Sequence, residues 1–231
     1  MQVTADTDDG TADMNGLQAL IFDVDGTLAD TEEIHRQAFN RAFAEFGIPW
    51  DWTPALYERL LSISGGRERI DAYMRELLAE GPGEILTPDF IRELHALETL
   101  LDMNLPADWR GWFDAIESCD TVPLKKPSPA VYLAALRALD LPASACIAFE
   151  DTLNGLLSAR GALLVTVITT HRYTQARHFP GAALVTDGLG EPDAPCSVLH
   201  GSLAEETCVN LAALRRLLAG ASGGATQDAA A

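Results

Sequence analysis

The stretch LQALIFDVDGTLADTEE, residues 17–33, decides the fold. Residues 17–24 form a short, continuous apolar run, which is typical of a strand buried on both faces of a parallel sheet. The run ends in the turn sequence DGT, and from about Asp30 the apolar residues recur at helical spacing until Gly47. A strand that passes through a tight turn into a helix predicts the first unit of an α/β protein.

The residues after this unit predict a helical insert, because no β-rich run interrupts them. We expect its further helices at residues 54–62, 67–80 and 87–101. Strands and helices then alternate again, which indicates a parallel sheet with helices on both faces. The predicted strands are residues 113–117, 145–149, 163–169 and 182–185, and the predicted helices are residues 127–139, 152–159 and 210–218.

The pattern divides the chain into a core and a small all-helical cap. The core comprises residues 17–30 and 102–219, and the cap comprises residues 31–101. The acidic residues 1–16 and the small, polar residues 220–231 are expected to be disordered tails. The first tail has neither the basic start nor the apolar middle of a secretory signal, so we expect a cytoplasmic protein.

Composition excludes several classes of partner. With 16 Lys and Arg against 34 Asp and Glu, the net charge of −18 argues against nucleic acid and anionic membranes, although a small phosphate ester stays compatible. No apolar run is long enough to span a membrane. The four cysteines show no CxxC spacing, which favours a reducing compartment over disulfides or a zinc site.

Charged residues follow three of the predicted strands. Asp23 and Asp25 end the first strand, Lys126 lies after residues 113–117, and Glu150 and Asp151 follow residues 145–149. Because ligands bind beyond the carboxyl ends of parallel strands, these side chains are expected to converge. Carboxylates in such a group suit Mg²⁺ and a phosphate oxygen. One carboxylate can then attack phosphorus while the second transfers protons.

Three motifs resemble those of the haloacid dehalogenase superfamily of phosphatases. They are FDVDGT at residues 22–27, KKPSP at residues 125–129 and FEDTLNG at residues 149–155, in the family's order. Residues 31–40, 64–70 and 104–116 are similar to the CbbY-like branch. The resemblance implies a Rossmann-like core with a helical cap. It also implies removal of phosphate from sugar phosphates, since members of that branch act on such esters, including xylulose bisphosphate.

The resemblance also implies a role for each matching residue. Asp23 would be the nucleophile that forms an aspartyl-phosphate, Asp25 the general acid and base, and Lys126 the motif lysine. Mg²⁺ would be held by Asp23, by the backbone carbonyl of Asp25 and by Asp151, while Glu150 would bind it through water or support another ligand. The positions that contact substrate in this branch are Glu33, His35, Arg36, Gly66, Arg67, Arg69 and Lys126. His171 and the other histidines outside this set show no ligand spacing, so no role is predicted for them.

One part of the family pattern is missing. Between Leu100 and Asn104 the helical insert runs almost straight into LPADWRGWF. The family places here a strand that ends in Ser or Thr and the helix after it. A βαβ unit takes roughly 30 residues or more, so it does not fit. The chain is therefore expected to lack the second motif, whose hydroxyl hydrogen-bonds the phosphoryl group, and the strand beside the Asp23 strand.

The sequence leaves three functions open. A Mg²⁺-dependent sugar-phosphate phosphatase is favoured, a phosphosugar mutase of the β-phosphoglucomutase type shares the same motifs, and the missing segment suggests a catalytically impaired variant. We expect a monomer, with association through an open sheet edge as the alternative.

Overall fold

The computed structural model describes residues 16–28, 31–45, 47–78, 109–117, 122, 124–175 and 177–224. A five-stranded sheet with the order β1-β2-β3-β4-β5 forms its centre. Strands β1 to β4 pair in parallel, whereas β5 is antiparallel to β4. The strands are β1 Ala19–Phe22, β2 Cys146–Glu150, β3 Val165–Thr169, β4 Leu184–Thr186 and β5 Val198–His200. The predicted α/β fold is confirmed, and only β5 was not predicted.

The α-helices of the described residues fall into two groups along the chain. Three follow β1, namely α1 Glu32–Glu45, α2 Pro54–Leu60 and α3 Gly66–Leu78. Three others alternate with or follow the later strands, namely α4 Ala130–Leu139, α5 Leu153–Gly161 and α6 Leu211–Gly224. None of these helices combines the length and the apolarity that a membrane crossing requires.

Helices cover both faces of the sheet, because successive residues of a strand point to opposite sides. Ile147 and Phe149 of β2 belong to a buried cluster with residues of α6. Cys146 and Ala148 belong to another cluster with residues of α4 and α5. All five residues of β2 are buried, so this strand is the centre of the core.

Helices α1 to α3 surround an aromatic core of their own. Trp52, Tyr57 and Phe43 are completely buried there, and the rings of Phe39 and Trp52 are 4.6 Å apart. Local signals explain the start of α2, since Thr53 Oγ1 accepts a hydrogen bond from the Leu56 amide. The helix predicted at residues 87–101 lies outside the described residues, and the domain limits therefore stay a prediction.

The carboxyl-terminal helix is longer than predicted. Helix α6 continues to Gly224, into the stretch 220–231 that the composition assigned to a disordered tail. The sequence AGASGG has weak helix propensity but contains no proline, so nothing in it stops the hydrogen-bonding pattern of the helix. Residues 1–15 and 225–231 of the two expected tails lie outside the described residues.

The predicted strand at residues 113–117 is wrong. A 3₁₀ turn at Trp109–Trp112 leads into irregular backbone, and Ile116 is 52% exposed. In the described part of the chain, β1 pairs on one side only, with β2, and its four residues are half-buried. A strand needs a neighbour for its backbone groups. The strand expected beside β1 is the one that the sequence lacks.

Candidate active site

Three distant segments meet at the carboxyl edge of the sheet. Asp23 follows β1 directly, and its amide donates to the carbonyl of Phe149 at 3.0 Å, which sets it beside the end of β2. Glu150 is the last residue of β2, and Asp151 follows it. One carboxylate oxygen from each of Asp23, Glu150 and Asp151 lies within 4.8 Å of the others. The register of the parallel pair thus produces a compact group of three acids.

Lys126 links two of these acids. Its Nζ lies 2.6 Å from Asp23 Oδ1 and also donates to Glu150 Oε1. Burial would lower the pKa of Lys126, but the charges of Asp23 and Glu150 outweigh it and raise this pKa well above its usual range. Lys126 is therefore a permanent positive charge between the two carboxylates.

Glu150 is completely buried, and its surroundings are built around it. Tyr132 of α4 donates its hydroxyl to Glu150 Oε1 at 2.5 Å. Burial, with the nearby Asp23, raises the pKa of Glu150 to about 8 against the opposing charge of Lys126. A Cβ atom at Gly155 would lie 1.7 Å from Glu150 Oε2. The glycine of the FEDTLNG motif is therefore required by the space that the glutamate occupies.

Asp151 is held by a histidine. His171 Nε2 lies 2.8 Å from Asp151 Oδ2, and the Asp151 side chain is only 2% exposed. Burial raises the pKa of Asp151 to about 6, although the hydrogen bond with His171 opposes the shift. Gly26, with φ of +80°, leaves room for both groups, since a Cβ there would lie 2.5 Å from Asp151 Oδ2. The DGT turn thus needs glycine for its conformation and for the space around it.

The carboxylate of Asp25 lies apart from the group of three acids. It accepts a hydrogen bond from Thr31 Oγ1 at 2.6 Å, and His35 Nε2 lies 4.0 Å from it. Burial raises the pKa of Asp25, while His35 and Thr31 act in the opposite direction. A partly buried carboxyl group with a raised pKa suits proton transfer.

Several predicted substrate residues have partners within the protein. Arg36 bonds Glu33 through Nε and Nη2 and the carbonyl of Trp52 at 2.7 Å through Nη1. The helices α1 to α3 and the turns between them are called the helical unit here. Arg69 of α3 bonds the carbonyl of Ile63 and the hydroxyl of Tyr57, so its guanidinium holds two parts of this unit together.

The other predicted substrate residues occupy varied places. Gly66 lies against the ring of Phe39, where a Cβ would be 3.1 Å from Cζ. Arg67 is exposed on α3. His35 lies beside Asp25, and its side chain is 21% exposed. The structure therefore brings His35 to the DxD motif, while Arg67 stays at the surface of the helical unit.

The helical unit touches the core on both sides of the acids. Lys125 Nζ lies 2.7 Å from Glu68 Oε2, and Asn154 Nδ2 lies 3.0 Å from Ser64 Oγ. On the other side, the buried ring of Tyr173 belongs to the aromatic core of the unit, and its hydroxyl donates to Glu33. The core thus contacts the helical unit through Lys125 and Asn154 on one side and through the loop after β3 on the other.

Sequence reasoning missed Tyr132, His171 and Tyr173. Tyr132 and Tyr173 carry no recognisable spacing. His171 had a usable signal, because it follows the carboxyl end of the predicted strand 163–169, at the same sheet edge as Asp23. The search for ligand spacing along the chain overlooked it, since its partner Asp151 comes from a different strand.

The donor set fits a hard divalent cation. The three clustered side chains offer only carboxylate oxygens, the ligands that Mg²⁺ prefers. Lys126 supplies one positive charge against three acids, so the group favours a further cation. The raised pKa values of Glu150 and Asp151 have the same origin, since neighbouring negative charge and burial both penalise their ionised forms.

Comparison with known proteins identifies the family. Two models for haloacid dehalogenase-like hydrolases match residues 20–100 and 95–162. The CbbY protein of Cupriavidus necator is 39% identical over an alignment of 244 positions. The alignment includes 86% of this chain and 96% of that protein. The crystal structure of CbbY from Rhodobacter sphaeroides with phosphate has 34% identity and a TM-score of 0.66. It covers 74% of this chain and 94% of that one.

The chain therefore belongs to the haloacid dehalogenase-like hydrolases and, among them, is similar to the CbbY proteins. It is an enzyme of the phosphatase type. A variant of the Rhodobacter protein has been solved in complex with xylulose-(1,5)bisphosphate.

The alignment also bears on the missing segment. Its 244 positions exceed the 231 residues of the whole chain, although only 86% of the chain takes part. Several tens of its positions therefore face gaps in this chain. The two family models meet at residues 95–100, close to the junction where the sequence pattern lacks a strand and a helix.

Proposed function

We propose that this protein is a Mg²⁺-dependent phosphatase that hydrolyses a sugar phosphate through an aspartyl-phosphate on Asp23. The observation that carries the proposal is the convergence of Asp23, Lys126, Glu150 and Asp151 from three distant segments. Asp23 is the most accessible of the three clustered acids, with a side chain 20% exposed, while Glu150 and Asp151 are buried. A substrate can therefore reach the Asp23 carboxylate.

The side chains divide the chemistry between them. Asp23 attacks phosphorus, the bond from phosphorus to the sugar oxygen breaks, and Asp25 gives its proton to that oxygen. Asp25 then takes a proton from water, whose oxygen attacks phosphorus, so that inorganic phosphate leaves and Asp23 is restored. The raised pKa of Asp25 supports its role as the acid. Lys126 holds Asp23 in place and offsets the charge that collects on the phosphoryl group.

Asp23, Glu150 and Asp151 would hold Mg²⁺, and Asp25 is the further ligand proposed from the motif. The ion would supply a positive charge that polarises the phosphoryl group and offsets the clustered carboxylates. Lys126 and the ion would thereby both offset negative charge on the phosphoryl group, each from a different position.

A sugar bisphosphate is the substrate class that we favour. The Rhodobacter relative binds xylulose-(1,5)bisphosphate, and this chain is similar to it over most of that protein's length. Exposed Arg67 would grip the remote phosphate, because a guanidinium matches phosphate oxygens. His35, beside Asp25, would contact the sugar near the reacting phosphate.

Replacement of the nucleophile tests this function. Asp23→Asn is expected to lower phosphate release from a sugar bisphosphate by at least about 1000-fold, since its amide cannot attack phosphorus. Mass spectrometry of the wild-type protein, trapped during turnover, should find phosphate on Asp23. Asp140→Asn is the control, because Asp140 is exposed at the end of α4 and belongs to none of the three motifs. Full turnover by Asp23→Asn would reject the proposal.

The same assay separates hydrolase from mutase. A hydrolase releases inorganic phosphate without a primer, whereas a phosphosugar mutase needs a bisphosphate and returns an isomeric sugar phosphate. We expect release of inorganic phosphate from a single sugar phosphate. An isomeric product that appears only with a bisphosphate primer would favour the mutase.

A catalytically impaired protein is the second candidate. Two observations favour it: the alignment gaps described above, and a β1 strand that has a partner on one side only among the described residues. The absent motif would remove one hydrogen-bond donor to the phosphoryl group, which typically costs about 100-fold or more in rate.

Restoration of the segment tests this candidate. Insertion of the corresponding residues of the Cupriavidus protein after Leu101 is expected to raise the phosphatase rate by about 100-fold or more, through the regained donor. The same insertion with Asp23→Asn is the control for the chemistry. Comparable rates with and without the insertion would rule out an impaired enzyme.

A further inference from the structure

We propose that His171 is a positioning residue that orients the Asp151 carboxylate for Mg²⁺ binding, an inference that rests on the proposed metal site. His171 comes from the loop after β3 and is not part of any motif that the sequence shows. Its Nε2 lies 2.8 Å from Asp151 Oδ2, and the two side chains are 12% and 2% exposed. At this burial, water competes little for the hydrogen bond.

The second ring nitrogen settles which atom carries the proton. The backbone amide of Tyr173 donates to His171 Nδ1 at 3.4 Å. A ring nitrogen that accepts a hydrogen bond carries no proton, so the proton lies on Nε2. His171 is therefore assigned as the donor, from Nε2 to Asp151 Oδ2, on the basis of its hydrogen bonds.

The imidazole is held on several sides. The amide of His171 donates to Thr174 Oγ1 at 3.1 Å, and the amides of Thr174 and Gln175 donate to the carbonyl of His171. Two residues along, the Tyr173 ring is buried in the aromatic core of the helical unit. Gly26 lies against the other side, where a Cβ would be 3.0 Å from Nε2. The ring is thus fixed before any ligand arrives.

A fixed donor on one oxygen restrains rotation of the Asp151 carboxylate. Asp151 then presents the same orientation to Asp23 and Glu150 whether or not a cation is bound. Partners of this kind, which bond a metal ligand without touching the metal, typically change metal affinity by about 10- to 100-fold when they are removed.

Direct titration of Mg²⁺ into the full-length protein, by calorimetry and without substrate, tests the inference. His171→Ala is expected to weaken Mg²⁺ binding by about 10- to 100-fold. His171→Gln places an amide near the position of Nε2 and should recover most of the affinity. His171→Asn, whose amide corresponds to Nδ1, is too short to reach Asp151 and should not. His178→Gln, at an exposed position of the same loop, is the matched control.

Thermal melting without Mg²⁺ shows whether each variant is folded. If His171→Ala does not fold, the comparison of Gln with Asn carries the test. Asp151→Asn distinguishes the role of His171 from the existence of the metal site itself. Loss of Mg²⁺ binding in Asp151→Asn together with unchanged binding in His171→Ala and His171→Asn would overturn the role of His171 alone. Wild-type affinity in Asp151→Asn, or no binding by the wild type, would overturn the metal site and this inference with it.

Discussion

Lys126→Met is expected to lower the phosphatase rate by about 100- to 1000-fold and the free energy of unfolding by about 3 kcal/mol. Two effects combine. Asp23 loses the cation that holds its carboxylate, and Glu150, which is completely buried, loses the charge that balances it. Phosphate release and denaturant unfolding of the same preparation measure the two effects.

The neighbouring lysine is a matched control for this change. Lys125 forms an ion pair with Glu68, but their side chains are 34% and 44% exposed, so solvent weakens the pair. Lys125→Met should therefore change stability by less than about 1 kcal/mol. Equal losses in the two variants would contradict the assignment of Lys126 as the motif lysine.

A double variant separates stability from catalysis. Glu150→Gln removes the buried charge and keeps an acceptor for the Tyr132 hydroxyl. Combined with Lys126→Met, it should recover stability, because no unbalanced charge then stays buried. The rate should stay low, because Asp23 still lacks its cation and the proposed metal site loses one carboxylate. Recovery of both would mean that Lys126 acts on folding alone.

Gly155→Ala is expected to destabilise the protein by about 3 kcal/mol or more, although alanine normally favours a helix. The added Cβ would lie 1.7 Å from Glu150 Oε2 and 2.0 Å from its Cδ, so the carboxylate must leave its place. That movement breaks its bonds with Lys126 and Tyr132. Thermal unfolding measures the loss, and phosphate release should fall with it.

Gly220 is the matched control, since it lies in the exposed part of α6 and a Cβ there would meet nothing within 4 Å. Gly220→Ala should raise stability by about 0.5–1 kcal/mol, the usual difference in helix propensity. Gly155→Ala and Gly220→Ala should thus change the free energy of unfolding in opposite directions. A Glu150→Ala background should also reduce the damage of Gly155→Ala, because the colliding carboxylate is gone. Equal shifts at both glycines would contradict the steric argument.

The buried pieces of the fold were predictable from the sequence. Continuous apolar runs locate β1, β2 and β3 within two residues of their ends, because a strand buried on both faces leaves a local signature. Residues 113–117, with the acids Asp114 and Glu117, lack such a continuous run, and the strand predicted there does not form. A strand depends on its neighbour in the sheet, and local pattern does not report whether that neighbour exists.

The candidate site, like the fold, could be predicted from the sequence only in part. Asp23, Glu150 and Asp151 stand in motifs at strand ends, so their convergence follows from topology. Lys126 joins them from a loop that follows no strand of the described residues, so its motif and not its topology indicated its place. Glu33, Arg36 and Arg69 each bond a group outside their own helix, and these contacts depend on packing. The resemblance alone implied that these residues contact substrate. For the contact of His171 with Asp151, the one signal in the sequence is that each residue follows the end of a predicted strand.

Asp23, the proposed nucleophile, is held more by a side chain than by the backbone of the sheet. Asp23 extends from β1, whose backbone in the described part of the chain is tethered to one neighbour, whereas β2 is tethered on both sides. Main-chain rigidity therefore contributes less to the aim of this carboxylate than it does for Glu150. Lys126 links the Asp23 carboxylate to Glu150, which belongs to the central strand β2. Its ammonium group therefore supplies the restraint on the Asp23 carboxylate that a second neighbouring strand would otherwise give.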